Sequence, residues 1–102
     1  MNIYQITFFL SRSCLGEISD NFRRIYFSVD KNILTLYFLL REKNEDDLEN
    51  IQYEILSNFE MLLEDEYEDY IVNYEIIIGD EKYLKDSDFN ILVEFYRKKE
   101  NY

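Results

Sequence analysis

The sequence predicts an α+β fold, a mainly antiparallel four-stranded sheet with one long acidic amphipathic helix and a short N-terminal helix or strand. Three observations predict it. Four segments carry strand patterning, three with alternating apolar positions and one, Ile33 to Leu40, a near-continuous apolar run. One segment between the second and third of these carries apolar residues at three- and four-residue steps. The 102 residues contain no proline and no linker-like stretch, so residues 1–102 are expected to form a single domain.

The first element spans Ile3 to Leu15, where Ile3, Ile6, Phe9, Leu10 and Cys14 recur at helical spacing and Gly16 follows as a C-terminal cap. The β-branched and aromatic content of Ile3 to Leu10 suits a strand equally well. Phe22 to Val29 alternates, with Ile25, Phe27 and Val29 on one side and Arg24, Tyr26 and Ser28 on a wet face. Asp30-Lys31-Asn32 supplies turn chemistry before the apolar run Ile33 to Leu40, so these two strands predict a hairpin.

Asn44 is placed to cap a helix whose first turn holds Glu45, Asp46 and Asp47. Leu48, Ile51, Ile55, Phe59 and Leu62 then form an apolar stripe, flanked by Leu56 and Leu63, that is expected to lie on the sheet. The opposite face carries Asp46, Glu49, Asn50, Tyr53, Ser57, Glu60 and Glu64, with Met61 at its edge. Tyr67 to Ile78 reads as the third strand, Glu81 to Asp88 as a polar loop and Phe89 to Tyr96 as the fourth strand. Arg97 to Tyr102 is expected to be a solvated tail.

The 22 acids against 11 bases give a net charge of −11. Between Glu42 and Asp69 lie twelve acids and one base, Lys43, so this segment alone carries 1 − 12 = −11 and the other 74 residues balance. The acidity is therefore local. Such a field speeds encounter with a basic partner and repels nucleic acid and anionic membranes, although a solvated helix face would show the same composition. At 47% hydrophobic and 18% aromatic, the chain is too apolar for a disordered acidic tail.

Catalytic chemistry is poorly represented. There is no histidine and only one cysteine, Cys14, which excludes an internal disulfide and a thiolate zinc site and leaves a small buried hydrophobe as its simplest role. Asp86-Ser87-Asp88-Phe89-Asn90 begins like a calcium loop, but Ile91 replaces the required glycine and Arg97 the bidentate glutamate. The two glycines, Gly16 and Gly79, are too few for a phosphate-cradling loop. No apolar run reaches membrane-spanning length, and no basic leader precedes a hydrophobic stretch, so a cytoplasmic protein that binds and does not catalyse is expected. Tyrosine among carboxylates has the composition of a recognition surface, an apolar anchor in a charged rim.

The stretch Ser11-Arg12-Ser13-Cys14-Leu15-Gly16-Glu17-Ile18-Ser19, followed by Phe22-Arg23-Arg24-Ile25 and Leu34-Thr35-Leu36-Tyr37-Phe38, resembles small proteins encoded beside polymorphic bacterial toxins, among them immunity proteins of contact-dependent growth inhibition systems. The resemblance runs over roughly residues 10 to 99, through Glu45-Asp46-Asp47 and the closing Phe95-Tyr96-Arg97-Lys98. It implies a non-enzymatic inhibitor without cofactors or metal, whose partner is a cognate toxin domain. A basic nuclease groove would suit the acidic helix. The expected partner-binding residues are Asp46, Glu49, Tyr53, Glu60, Glu64, Asp65, Glu66, Tyr67, Glu68 and Asp69. An acidic nucleic-acid mimic, a small enzyme or metal-dependent regulator, and a homodimer formed through an exposed strand edge are the other readings that the pattern leaves open.

Overall fold

The computed structural model describes residues 2–79 and 91–98. The elements, in order, are α1 (Ile3–Cys14), β1 (Phe22–Asp30), β2 (Ile33–Leu40), α2 (Glu45–Asn50), a π-helical turn (Ile51–Ile55), α3 (Leu56–Glu64), β3 (Ile71–Ile78) and β4 (Ile91–Arg97). The expected loop at 81–88, the calcium-like signature at 86–90 with the first two residues of the expected fourth strand, and the tail beyond Lys98 lie outside the described residues; Arg97, expected in the tail, instead ends β4, and the Lys98 N–H donates to the Arg23 carbonyl. The described residues group into two compact units, one helical (2–19 and 44–69) and one built on the sheet (20–43, 70–79 and 91–98).

In the helical unit the ambiguous N-terminal segment is a helix. Asn2 decides its start, because its side chain accepts from the N–H groups of Tyr4 and Gln5 at 2.9 and 3.2 Å, satisfying donors that the first turn leaves unpaired. Its end is a type II turn: Leu15 sits at φ −60°, ψ 117°, Gly16 at φ +81°, and the Glu17 N–H donates to the Cys14 carbonyl at 2.9 Å. Only glycine takes that Gly16 conformation without steric cost.

α2, the π-helical turn and α3 run on as one helix, capped by Asn44, whose side chain accepts from the Asp47 N–H at 3.0 Å. The wide turn, closed by the Leu56 N–H on the Ile51 carbonyl, shifts the phase of the buried face. Before and within it the buried residues are Asp47, Ile51 and Ile55, and after it they are Leu56, Phe59 and Leu63. Leu48 and Leu62, expected in the stripe, are therefore only half-buried. α1 packs on the π-helical turn and on α3.

The sheet unit has strand order β3-β2-β1-β4. β1 pairs antiparallel with β2 and with β4, but β2 pairs parallel with β3, so the sheet is mixed and the expectation of a mainly antiparallel sheet is corrected to that extent. The reason is connectivity: β2 and β3 are neighbours joined by a helical crossover, which returns the chain in the same direction. The β1–β2 hairpin forms as expected around Lys31, a non-glycine residue held at φ 56°.

The expected wet face of β1 is also corrected. Tyr26 and Tyr37 oppose each other across the strands and are buried with Leu39, packed by Ile77 and Leu92. The Tyr37 and Ser28 hydroxyls satisfy each other at 3.2 Å. β3 starts at Ile71, later than expected, because the chain is still turning at Glu66 and Tyr67, whose N–H groups both donate to the Leu63 carbonyl. In β4 the register shifts between Ile25 and Tyr26 of its partner, leaving Phe95 as the extra residue of a bulge. Glu94 and Arg97 thereby fall on the side of Arg24 and Tyr26. Arg97 holds Glu94 through two hydrogen bonds of 2.7 and 3.1 Å, and Arg24 adds one of 3.2 Å. Chiefly through the Arg97 hydrogen bond, the Glu94 carboxyl is kept below the usual carboxylate range.

Candidate functional site

The helix Glu45–Glu64 contains seven acids and no lysine or arginine. Asp47 is buried, while Glu45, Asp46, Glu49, Glu54, Glu60 and Glu64 all face solvent. Tyr53 and Met61 sit among them with 64% of their surface open to solvent each, which puts an aromatic and a flexible thioether in the middle of a carboxylate field. The π-helical turn exposes Gln52, Tyr53 and Glu54 in succession.

The distribution of acids along this helix is informative. Glu45 and Asp46 lie at the N-terminal end, where negative charge opposes the positive pole of the helix dipole and stabilises the helix. Glu60 and Glu64 lie at the other pole, where carboxylates cost stability.

Of the remaining expected residues, Asp65, Glu66, Glu68 and Asp69 are exposed just beyond the helix, extending the field. Tyr67 is different. It is half-buried, donates its hydroxyl to the Gln5 side-chain carbonyl at 2.6 Å and accepts from the Asn2 N–H at 3.3 Å. Its ring and hydroxyl hold the acidic run against the start of α1. At the opposite end of the same pair of helices, the Ser19 hydroxyl donates to Asp47 Oδ1 at 2.9 Å. Two clamps therefore fix α1 antiparallel to the long helix and present the acidic face on a rigid support.

Sequence reasoning missed two features here. Asp47 was expected only as a first-turn charge, yet it is a buried structural acceptor, and a serine 28 positions away gave no periodic signal. The outward side of α1 is also apolar: Tyr4, Phe8 and Leu15 are exposed, and the Arg12 guanidinium lies 5.9 Å from the Phe8 ring centre. A signal existed, because positions 4, 8 and 15 fall within about 40° of one another on a helical wheel, away from the Ile6 and Leu10 side.

Cys14 is buried, and its thiol is pushed up to about 12, first by burial and then by the nearby Glu17 carboxylate, both of which disfavour the reactive thiolate. Among the described residues, no three metal-ligating side chains come together, and no helix is long and apolar enough to cross a membrane.

Residues 4–99 match the MafI2 immunity protein family. The chain belongs to the MafI2 immunity protein family. Curated proteins offer no match. The family match covers both helices and all four strands, and agrees with the resemblance to small toxin immunity proteins carried by Ser11–Ser19 and the strands after it. A MafI2 immunity protein acts on a cognate toxin.

Proposed function

We propose that this MafI2 immunity protein neutralises its cognate toxin domain, a nuclease, by direct binding in the cytoplasm, without catalysis and without a cofactor. Nucleic acid and membranes are not its ligands. The interface is the outward face of the long helix and the run after it: Asp46, Glu49, Tyr53, Glu60, Glu64, Asp65, Glu66, Glu68 and Asp69, with Tyr67 holding that run in place. The observation that carries this reading is the solvent side of Glu45–Glu64, a helix without a single basic residue that exposes Tyr53 and Met61 among its carboxylates. A nuclease must hold a polyanion, so its groove is basic and matches such a face in sign. Complementary fields accelerate encounter, and a partly buried tyrosine supplies the desolvated anchor that keeps the complex together.

The test is a growth assay. The toxin domain encoded next to this chain is expressed in a susceptible bacterium with and without the chain. Killing by the domain and recovery in the presence of this chain alone is the expected result. Equal recovery with an unrelated immunity protein, or protection against several unrelated DNA-binding enzymes, would overturn the reading and favour a general nucleic-acid mimic.

A further inference from the structure

The two edges of the sheet differ. β4, at one edge, is bulged at Phe95 and carries the Glu94 and Arg97 charges. β3, at the other, keeps eight residues in unbroken register with β2, has no lysine or proline, and carries a single charge, Glu75. Ile71, Tyr74 and Ile78 are exposed along it. Bulges, charges and prolines are the devices by which edge strands avoid adding another strand, and β3 has almost none of them.

The hydrogen bonds of β3 state which groups it offers. The Ile71 N–H donates to the Asn32 carbonyl and the Gly79 N–H to the Leu40 carbonyl, so the odd-numbered residues direct their backbone groups to β2. Val72, Tyr74, Ile76 and Ile78 therefore turn theirs outward, to a side that pairs with no strand among the described residues.

We propose that β3 pairs antiparallel with β3 of a second copy of this chain, about a twofold axis at Tyr74. The edge is self-complementary in that register. A twofold axis between two residues would oppose outward-facing groups with inward-facing ones and form no ladder, so the axis must pass beside a residue. Two positions give the longest overlap, Tyr74 and Glu75. An axis at Glu75 sets two carboxylates directly opposite each other. An axis at Tyr74 instead places Tyr74 against Tyr74 of the second copy, Val72 against Ile76, Ile71 against Ile77, and Glu75 against Asn73. These are aromatic, β-branched and hydrogen-bonding pairs of the kind that stabilise sheets. Each copy carries a net charge of −11, so salt strengthens this dimer by screening, the reverse of its effect on a complex with a basic partner.

The experiment is sedimentation of the full chain alone, over a concentration series at low and high salt. A reversible dimer, tighter at high salt, is expected. Tyr74→Pro removes an outward N–H that β2 does not use, and should give a monomer with unchanged circular dichroism. Asn73 is exposed. Asn73→Lys should tighten the dimer and Asn73→Glu weaken it, each by about two- to thirtyfold, because each change acts twice across the axis. If Tyr74→Pro fails to fold, the Asn73 pair decides. A monomer at every concentration and salt, or a dimer indifferent to both Asn73 changes, would overturn the proposal. So would a monomer whose Tyr74→Pro variant loses affinity for the toxin domain, since the edge would then take a strand from that protein.

Discussion

The two helices of the helical unit are fixed by the same pair of clamps, Asp47 with Ser19 and Tyr67 with Asn2 and Gln5, yet their outward faces have opposite characters. α1 and the turn that ends it expose Tyr4, Phe8 and Leu15, with Arg12 as the helix's one charge. The long helix exposes six carboxylates around Tyr53 and Met61. The apolar stripe of α1 offers sticking without direction, because uncharged surface exerts no long-range pull. The acidic face offers both steering and an anchor. On this account the acidic face meets the toxin and the α1 stripe does not.

The sharpest way to break the comparison is to change one face at a time. Replacing Glu49, Glu60 and Glu64 by lysine together with Tyr53→Ala should weaken toxin binding about 10⁴-fold, at roughly 1–2 kcal/mol for each residue, and abolish growth protection. The matched change on α1, Tyr4→Ser with Phe8→Ser and Leu15→Ser, should leave affinity within about threefold. Titration calorimetry on both variants decides, and the opposite ranking would assign the interface to α1.

The next effect separates the buried side of the long helix from its exposed side. Phe59→Ala empties a fully buried ring position and should cost about 3–5 kcal/mol in denaturant unfolding, whereas Tyr53→Ala should cost under about 1 kcal/mol. Asp47→Ala should fall between them, at about 1–3 kcal/mol, by removing the buried acceptor of the Ser19 hydroxyl bond. An Asp47→Ala protein as stable as wild type would show that this clamp is idle.

The smallest effect carries the most information about why the acids are there. Glu64→Gln removes a carboxylate from the unfavourable pole of the helix and should stabilise the chain by about 0.3–1 kcal/mol while slowing toxin association. A rise in Tm with unchanged association would return Glu64 to the status of a solvated charge.

The same contrast marks how much of the molecule was legible in the sequence. The long helix, its Asn44 cap and its acidic face were readable because they rest on local signals, capping chemistry and a 3.6-residue period. The strands were readable from alternation and turn chemistry, down to the Ile33–Leu40 bounds, though β3 starts at Ile71 and not at Tyr67. The π-helical turn at Ile51–Ile55 was not, since a single helical wheel assumes one phase throughout, and this turn moves burial from Leu48 and Leu62 to Leu56 and Leu63. The Asp47 to Ser19 and Tyr67 to Gln5 bonds join residues far apart in sequence, where periodicity says nothing. The parallel pairing of β2 with β3 was missed for a related reason: periodicity marks each strand but not the direction in which two strands pair. The outward stripe of α1 was within reach, but an apolar helix invites the assumption that every apolar side is buried.

The central claim, that the acidic face of the long helix meets the toxin, is tested most directly by the association rate of the toxin domain as ionic strength is raised. Stopped-flow measurements would compare wild type, the variant with Glu49→Lys, Glu60→Lys and Glu64→Lys, and the α1 variant with serines at Tyr4, Phe8 and Leu15. Wild type and the α1 variant should both associate at about 10⁸ M⁻¹s⁻¹ or faster at low salt and slow steeply as salt is added, while the lysine variant should stay near 10⁵–10⁶ M⁻¹s⁻¹ throughout. A wild-type rate indifferent to salt, or a lysine variant with the wild-type slope, would contradict the account.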